Sequence, residues 1–261
     1  MKRSIIVVLF LAVFLGLAFA LLAAPSGPPS SAIPGSDQIS SSPLSQARTE
    51  LQKGFHLWDP EIMKSARDRF LALLLTETPP TPGLAYEMAI ADYRLGNYYL
   101  AAGNKDEAER YVSEAQKYAA QAGDEDPKRG ETDALEAYLF GMELALHPDR
   151  AMALFPRSAA SFSAALTKSP ENPRVFLFKA LSLYYTPEAF GGGPLNAQGF
   201  LEKSLALADS SWGREEAYAY LGLCHKKRGD TAKAREMLKK ALASCPDFSF
   251  AAHELQVLGD K

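Results

Sequence analysis

Two stretches of the chain share one spacing of small and large apolar residues, and this spacing limits the possible folds more than any other feature. In each stretch a Leu-Gly pair is followed by four small or apolar residues. The first lies seven residues after the glycine, and the next three follow at steps of five, four and three residues. The positions are Gly96, Gly103, Ala108, Val112 and Ala115 in the first stretch and Gly222, Gly229, Ala234, Leu238 and Ala241 in the second. Apolar residues recur every three or four residues, which predicts helices rather than strands. Small residues at fixed points indicate that paired helices approach closely there.

This spacing resembles the tetratricopeptide repeat, a helix–turn–helix unit of about 34 residues. The resemblance implies an all-α, right-handed solenoid of about five antiparallel helical hairpins over residues 45–261. The first unit is predicted to begin near Ala47 and the second near Ala89, and the last regular unit contains Leu221. A capping helix over Phe248–Leu258 is predicted to close the C-terminal end of the solenoid.

The third and fourth units depart from the regular length. The third is predicted to have a long bend over His147–Pro156, and the fourth carries an insertion over Thr186–Pro194. Three glycines in the insertion, at 191–193, could present backbone N–H groups to an anion. In a phosphate-binding loop the glycines are followed by Lys and then Ser or Thr, whereas here Leu195 and Asn196 follow the glycines and Pro194. We therefore favour a sharp bend with Phe190 tucked beneath it.

The N-terminal residues predict export from the cytoplasm. Lys2 and Arg3 precede a run of twenty uncharged, mostly apolar residues, Ile5–Ala24. Residues 1–24 therefore predict a cleaved signal peptide, with Ala18-Phe19-Ala20 as the cleavage site, or an N-terminal membrane anchor. Residues 25–44 are rich in Pro, Ser and Gly and predict a disordered linker. The expected location is extracytoplasmic, either periplasmic or secreted, with inner-membrane contact only through the N-terminal segment.

The composition and the reactive side chains give no support to several classes of function. The net charge is −3, so the chain lacks the excess of basic residues that is typical of a nucleic-acid binder. No nucleophile motif or paired carboxylates stand out, so we predict a protein that is not an enzyme and needs no cofactor. Cys224 and Cys245 are predicted to be free thiols because they fall too far apart along the last hairpin for a disulfide. We predict no metal site, because metal-ligand spacing is missing around His56, His147, His225 and His253.

The faces of the first helices of each hairpin are the candidate binding surface. In tetratricopeptide arrays these helices line a concave groove, and aromatic side chains there suit recognition of an extended peptide. The alternative is that several of these side chains pack between hairpins. The predicted groove residues are Tyr93, Asn97, Tyr138, Arg174, Tyr184, Tyr185, Lys226 and Lys227.

The predicted function is that of an exported, non-enzymatic scaffold that binds another protein or a peptide segment in this groove. The alternative is a periplasmic accessory subunit of a transporter, which would bind a small apolar molecule or a lipid. The irregular units somewhat resemble the T-component proteins of TRAP transporters, and their irregularity could close the groove into a pocket. The chain lacks the lipidation cysteine of those proteins.

Overall fold

The computed structural model describes residues 42–78, 80–208 and 213–259. Within these ranges the chain forms eleven α-helices and no strands, which confirms the predicted all-α fold. The helices are α1 Pro43–Leu57, α2 Pro60–Thr76, α3 Leu84–Ala101, α4 Lys105–Glu125, α5 Gly130–Leu146, α6 Ala151–Lys168, α7 Pro173–Tyr185, α8 Pro194–Leu207, α9 Arg214–Lys227, α10 Thr231–Ser244 and α11 Ser249–Gly259.

The predicted N-terminal segments lie almost wholly outside the described residues. Residues 1–24 are not described, and of the predicted linker, 25–44, only the last three residues are. Helix α1 begins at Pro43, so the predicted domain boundary at residue 45 falls within its first turn. None of the described helices combines the length and the apolar character that crossing a membrane requires.

Five consecutive helix pairs form the predicted hairpins, from α1–α2 to α9–α10, and α11 packs on α10 as the predicted cap. Polar caps fix several helix starts. The Asp59 carboxylate accepts hydrogen bonds from the backbone N–H groups of Glu61 (2.9 Å) and Ile62 (3.3 Å) at the start of α2. Asn104, Asn172 and Asp230 cap α4, α7 and α10 in the same way. Each cap satisfies N–H groups that have no partner within the helix.

The spacing shared by the two stretches marks the contact between paired helices, as predicted. A Cβ atom placed on Gly222 of α9 would lie 2.8 Å from Leu238 Cγ and 3.1 Å from the carbonyl oxygen of Ala234, both on α10. Ala234 and Leu238 are themselves completely buried. Only glycine allows α9 and α10 to approach this closely.

Two local predictions for the irregular units were wrong. The predicted bend over His147–Pro156 is mostly helical, since a 3₁₀ turn over Pro148–Arg150 leads directly into α6 at Ala151. Pro156 lies inside α6, in its second turn, and the helix continues through it to Lys168. Phe190 is not tucked beneath the bend; its side chain is 46% exposed and stacks on Phe155.

The triple glycine forms a sharp bend, the interpretation that the sequence favoured. Gly191 and Gly193 have φ angles of 81° and 95°, which favour glycine. Their N–H groups donate to the carbonyls of Glu188 (2.9 Å) and Leu183 (2.8 Å), and the Gly192 N–H donates to that of Pro187 (3.2 Å). All three donors are used within the chain, which disfavours an anion-binding loop here.

The first hairpin touches the last one. On α1, Gln52 Nε2 donates to Glu215 Oε1 of α9 (2.9 Å), and the His56 carbonyl accepts from the Ser249 hydroxyl of α11 (2.8 Å). Phe55 of α1 packs against Phe248, with 5.6 Å between the ring centres. The array therefore closes on itself, and the concave side of the solenoid becomes an interior.

Candidate functional site

The inner helices α3, α5 and α7 meet through aromatic rings in this interior. The ring centres of Tyr93 and Tyr138 lie 5.5 Å apart, nearly perpendicular to each other, and Tyr93 lies 5.5 Å from Phe178. Burial raises the pKa values of Tyr93 and Tyr138 above the ordinary value for tyrosine. Edge-to-face rings of this kind fill a core and hold helices together.

A buried ion pair joins α3 to α9 beside these rings. The Arg94 guanidinium donates to both carboxylate oxygens of Glu216, at 2.9 and 2.8 Å, and its carbon lies 3.5 Å from the centre of the Phe55 ring. Burial alone would lower the pKa of Arg94, but the Glu216 carboxylate outweighs it and the pKa is raised. The pair links the second and fifth hairpins across the interior.

A second aromatic cluster lies between α7 and α9. The hydroxyls of Tyr185 and Tyr220 share a 2.8 Å hydrogen bond, and the Tyr184 ring lies 5.3 Å from that of Tyr220. Burial raises the pKa of Tyr185 to about 12. Lys227 Nζ lies 3.7 Å from the centre of the Tyr184 ring, and burial lowers the pKa of Lys227. Lys226 is paired with Glu254 of α11 at 2.7 Å.

The structure corrects the predicted exposure of the groove tyrosines. Tyr93 is only 1% exposed, and Tyr138 and Tyr184 are also buried, because the closed array packs the inner faces against one another. The other predicted groove residues are at least partly exposed: Asn97, Arg174, Tyr185, Lys226 and Lys227. They do not form one surface, since Arg174 begins α7 whereas Tyr185, at its other end, packs against α9. Partner binding by these five residues stays a prediction.

The sequence analysis missed a pocket of about 480 Å³ beside the interior. We call it the arginine pocket. It lies along Arg48–Phe55 of α1 and Glu87–Arg94 of α3 and at the beginnings of α5 and α7, and Leu51, Phe55 and Ile90 form its apolar wall. Its charged residues are Arg48, Glu87, Arg94, Arg129, Glu131 and Arg174. The sequence signal was weak because the four arginines are spread over 127 residues of the chain, on or next to four different helices.

Exposed and partly exposed apolar side chains lie where the irregular units adjoin, a second feature not predicted from the sequence. Met152 is 90% exposed on the first turn of α6, one turn before Phe155, which stacks on Phe190 at 6.0 Å. Leu195, on the first turn of α8, is 66% exposed, and the neighbouring Asn196 amide donates to the carbonyls of Gly191 and Gly192. We call Met152, Phe155, Phe190 and Leu195 the insert patch.

The cysteines are free, as predicted, and Cys224 is completely buried. Burial raises the pKa of the Cys224 thiol to about 12. Cys245 is half-buried, with its sulfur 3.1 Å from His56 Nδ1. Across the described ranges, no three His, Cys, Asp or Glu side chains are grouped to hold a metal ion.

The tetratricopeptide repeat model matches residues 215–248, which include nearly all of α9, all of α10 and the turn between them. The matching hairpin is the regular unit in which glycine and alanine bring the paired helices together. This hairpin is a tetratricopeptide repeat, and the chain has the tetratricopeptide repeat fold. No curated protein is significantly similar to it in sequence.

Solved structures support the repeat fold over most of the chain. A thermophilic tetratricopeptide repeat protein from Thermus thermophilus is similar, with a TM-score of 0.56 and 19% identity, over 81% of this chain and 98% of that one. The HusA haemophore from Porphyromonas gingivalis is also similar, with a TM-score of 0.56 and 27% identity, over 69% of this chain and 93% of that one. The resemblance to TRAP T-components stays a prediction.

The tetratricopeptide fold suggests a protein-interaction scaffold and is typically non-enzymatic. In an open array the concave groove provides a long binding surface. In this chain the groove is filled by its own rings and by the Arg94–Glu216 pair. The arginine pocket and the insert patch are two described features that remain accessible.

Proposed function

We propose that this tetratricopeptide repeat protein is an exported, non-enzymatic scaffold that binds a protein partner through the insert patch. The observation that carries the proposal is the exposure of Met152 and Leu195 beside the stacked pair of Phe155 and Phe190. Adjoining exposed apolar side chains on a folded domain mark interaction sites. Aromatic rings and methionine are also enriched in the centres of interfaces.

The position of the patch supports the same role. It lies where a 3₁₀ turn precedes α6 and where the glycine bend precedes α8, so two departures from the repeat pattern place it there. The glycine bend is held by three backbone hydrogen bonds, and Phe190 is therefore presented from a fixed turn. A preorganised apolar patch loses little conformational entropy when it binds.

Capture of a partner from the source cells tests the patch. The full chain would be cross-linked in intact cells, and captured proteins would be quantified by mass spectrometry. We expect the triple variant Met152→Asp, Phe190→Asp, Leu195→Asp to lose the partner that the wild type captures. Leu75→Asp is the matched control, since Leu75 is 75% exposed on α2. Equal capture by the wild type and a folded triple variant would refute the proposal.

Export is supported by the sequence of the N-terminal segment. Lys2 and Arg3 precede the apolar run that ends at Ala24, the arrangement of a signal peptide or an anchor. Fractionation of the source cells, with mass spectrometry of the N-terminal peptide, tests both forms. A mature chain that starts after Ala20 indicates cleavage, and an intact chain in the membrane fraction indicates an anchor. An intact chain found only in the cytoplasm would contradict export.

Haem binding is a second candidate function. It is favoured by the likeness to the HusA haemophore, at 27% identity over 69% of this chain. Titration with haemin, followed by the Soret absorbance, tests it directly. A shifted Soret band that saturates at one equivalent supports this function, whereas a band identical to that of free haemin opposes it. The transporter-accessory alternative, with a small apolar or lipid ligand, stays a prediction.

A further inference from the structure

We propose that the arginine pocket binds a small organic carboxylate with an apolar body. This inference is independent of the partner and haem proposals above, because it is carried by the pocket alone. The volume of about 480 Å³ lies in the range of small-molecule sites, roughly 300–1,000 Å³. Six of its twelve lining residues are charged, which is more than usual in such sites, and Leu51, Phe55 and Ile90 supply apolar surface.

The charges of the pocket are unevenly satisfied. Arg48 is paired with Glu87 at 2.8 Å, and Arg94 is held by both oxygens of Glu216. Arg174 Nη1 donates to Glu131 Oε2 at 3.4 Å, and Arg174 also interacts with Tyr86. Arg94 is therefore committed to the contact that closes the array and Arg48 to Glu87 on the neighbouring hairpin, whereas Arg174, on the wall formed by the starts of α5 and α7, shares Glu131 with Asn172.

Arg129 adds a second cation to this wall. Its guanidinium carbon lies 4.7 Å from the centre of the Tyr86 ring, and Arg174 interacts electrostatically with the hydroxyl of the same tyrosine. Tyr86 is buried, so it fixes both arginines at one side of the pocket. Among the described residues Arg129 forms no ion pair within 4 Å. Two guanidinium groups thus lie near Tyr86, and Arg174 alone is paired with a lining carboxylate, Glu131.

This arrangement selects the ligand class. A guanidinium binds a carboxylate through two parallel hydrogen bonds, and two of them on one wall can hold one carboxylate firmly. Leu51 and Ile90 on the apolar wall would cover a hydrocarbon body. Glu131, whose Oε1 accepts from Asn172 Nδ2 at 2.6 Å, competes with the ligand for Arg174. The pocket is therefore expected to prefer an amphiphilic carboxylate over a bare inorganic anion.

Calorimetric titration of the full chain with sodium decanoate, with decanol and inorganic phosphate as comparison probes, tests the ligand class. We expect saturable binding of decanoate and at least about tenfold weaker binding of both comparison probes, since each lacks either the charge or the hydrocarbon body. Absence of decanoate binding at millimolar concentration would overturn the proposal. Phosphate binding as tight as that of decanoate would overturn the assigned ligand class.

Variants locate the site. Arg129→Gln is expected to weaken decanoate binding about tenfold or more, through loss of a charge-assisted hydrogen bond. Arg69→Gln is the matched control, because Arg69 pairs with Glu50 on the exposed surface of the first hairpin. Glu131→Gln should strengthen binding severalfold by removing the competing carboxylate, a gain that misfolding cannot produce. Unchanged affinity in both Arg129→Gln and Glu131→Gln would overturn the assigned site.

Discussion

At the scale of single residues, a glycine within a helix can either permit a close helix contact or simply weaken the helix. Replacing one glycine of each kind with alanine distinguishes the two roles. A Cβ on Gly222 would lie 2.8 Å from Leu238 Cγ, whereas a Cβ on Gly141 of α5 would meet no atom within 4 Å. We expect Gly222→Ala to destabilise the fold by roughly 1–3 kcal/mol, because it overpacks a helix contact. Gly141→Ala should stabilise it by about 0.5–1 kcal/mol, because alanine favours a helix. Urea unfolding measures both, and equal effects would contradict the assigned contact.

A buried carboxylate should make stability depend on pH. Asp92 of α3 is fully buried and pairs with Arg67 of α2. Burial raises the pKa of Asp92 to about 6, although Arg67 lowers it in part. The folded chain then binds the proton more tightly than an unfolded chain with a pKa of about 4. The resulting stabilisation is fully present below about pH 4 and is lost as the pH rises through about 6.

We therefore expect the unfolding free energy of the wild type, relative to Asp92→Asn, to fall between about pH 4 and about pH 6. Urea unfolding of both proteins at several pH values measures this difference. Carbon-13 NMR of the Asp92 carboxyl group gives its pKa directly. A difference in unfolding free energy that stays constant or rises over this range would contradict the raised pKa.

At the scale of elements, the capping helix α11 has two neighbours instead of the one expected in an open array. It packs on α10, and Ser249 also donates to the His56 carbonyl of α1. In an open solenoid, removing the last helix would loosen only the adjoining repeat. Truncation after Asp247 should here increase amide hydrogen exchange in α1 as well as in α10. Unchanged exchange in α1, with faster exchange in α10, would show that the ends are not coupled.

The elements also show which parts of the fold the sequence could predict. Hairpins depend on contacts between residues close in the chain, so the spacing around Gly222 was sufficient to predict them. The start of α6 was missed because Pro148 and Pro156 indicate a bend, whereas the first begins a 3₁₀ turn and the second lies within α6. Prolines near a helix start do not end a helix, and sequence alone does not distinguish these cases.

At the scale of the whole molecule, closure of the array decided what the sequence could not predict. Arg94 and Glu216 are 122 residues apart, and His56 and Glu215 are 159 residues apart. Such contacts depend on the small rotation of each repeat relative to the one before it. These rotations add up along the array, and the residue spacing within one repeat does not determine their total. Tyr93 and Tyr138 lie on the inner helices α3 and α5, and closure buries them. The arginine pocket arises in the same way, because residues of α1 and α3 and the starts of α5 and α7 must converge.

The Arg94–Glu216 pair provides a direct test of closure. Loss of one partner leaves a buried charge without its counter-charge, so Arg94→Met or Glu216→Leu alone should destabilise the chain by about 3–5 kcal/mol. In the double variant both charges are absent and apolar side chains fill the space. We expect it to be more stable than either single variant, since well-packed apolar groups often replace a buried pair at little cost. Guanidinium unfolding of the four proteins gives the coupling energy between the second and fifth hairpins.

Additive effects in this cycle would mean that the two side chains do not meet in solution. Small-angle X-ray scattering separates that case from simple loss of stability. If the array is closed, the folded double variant keeps the radius of gyration of the wild type, because the Gln52–Glu215 and Ser249–His56 contacts still join the ends. A single variant that stays helical but becomes larger has opened, and would expose Tyr93 and Tyr138. In that opened form alone, the groove predicted from the sequence would become available to a partner.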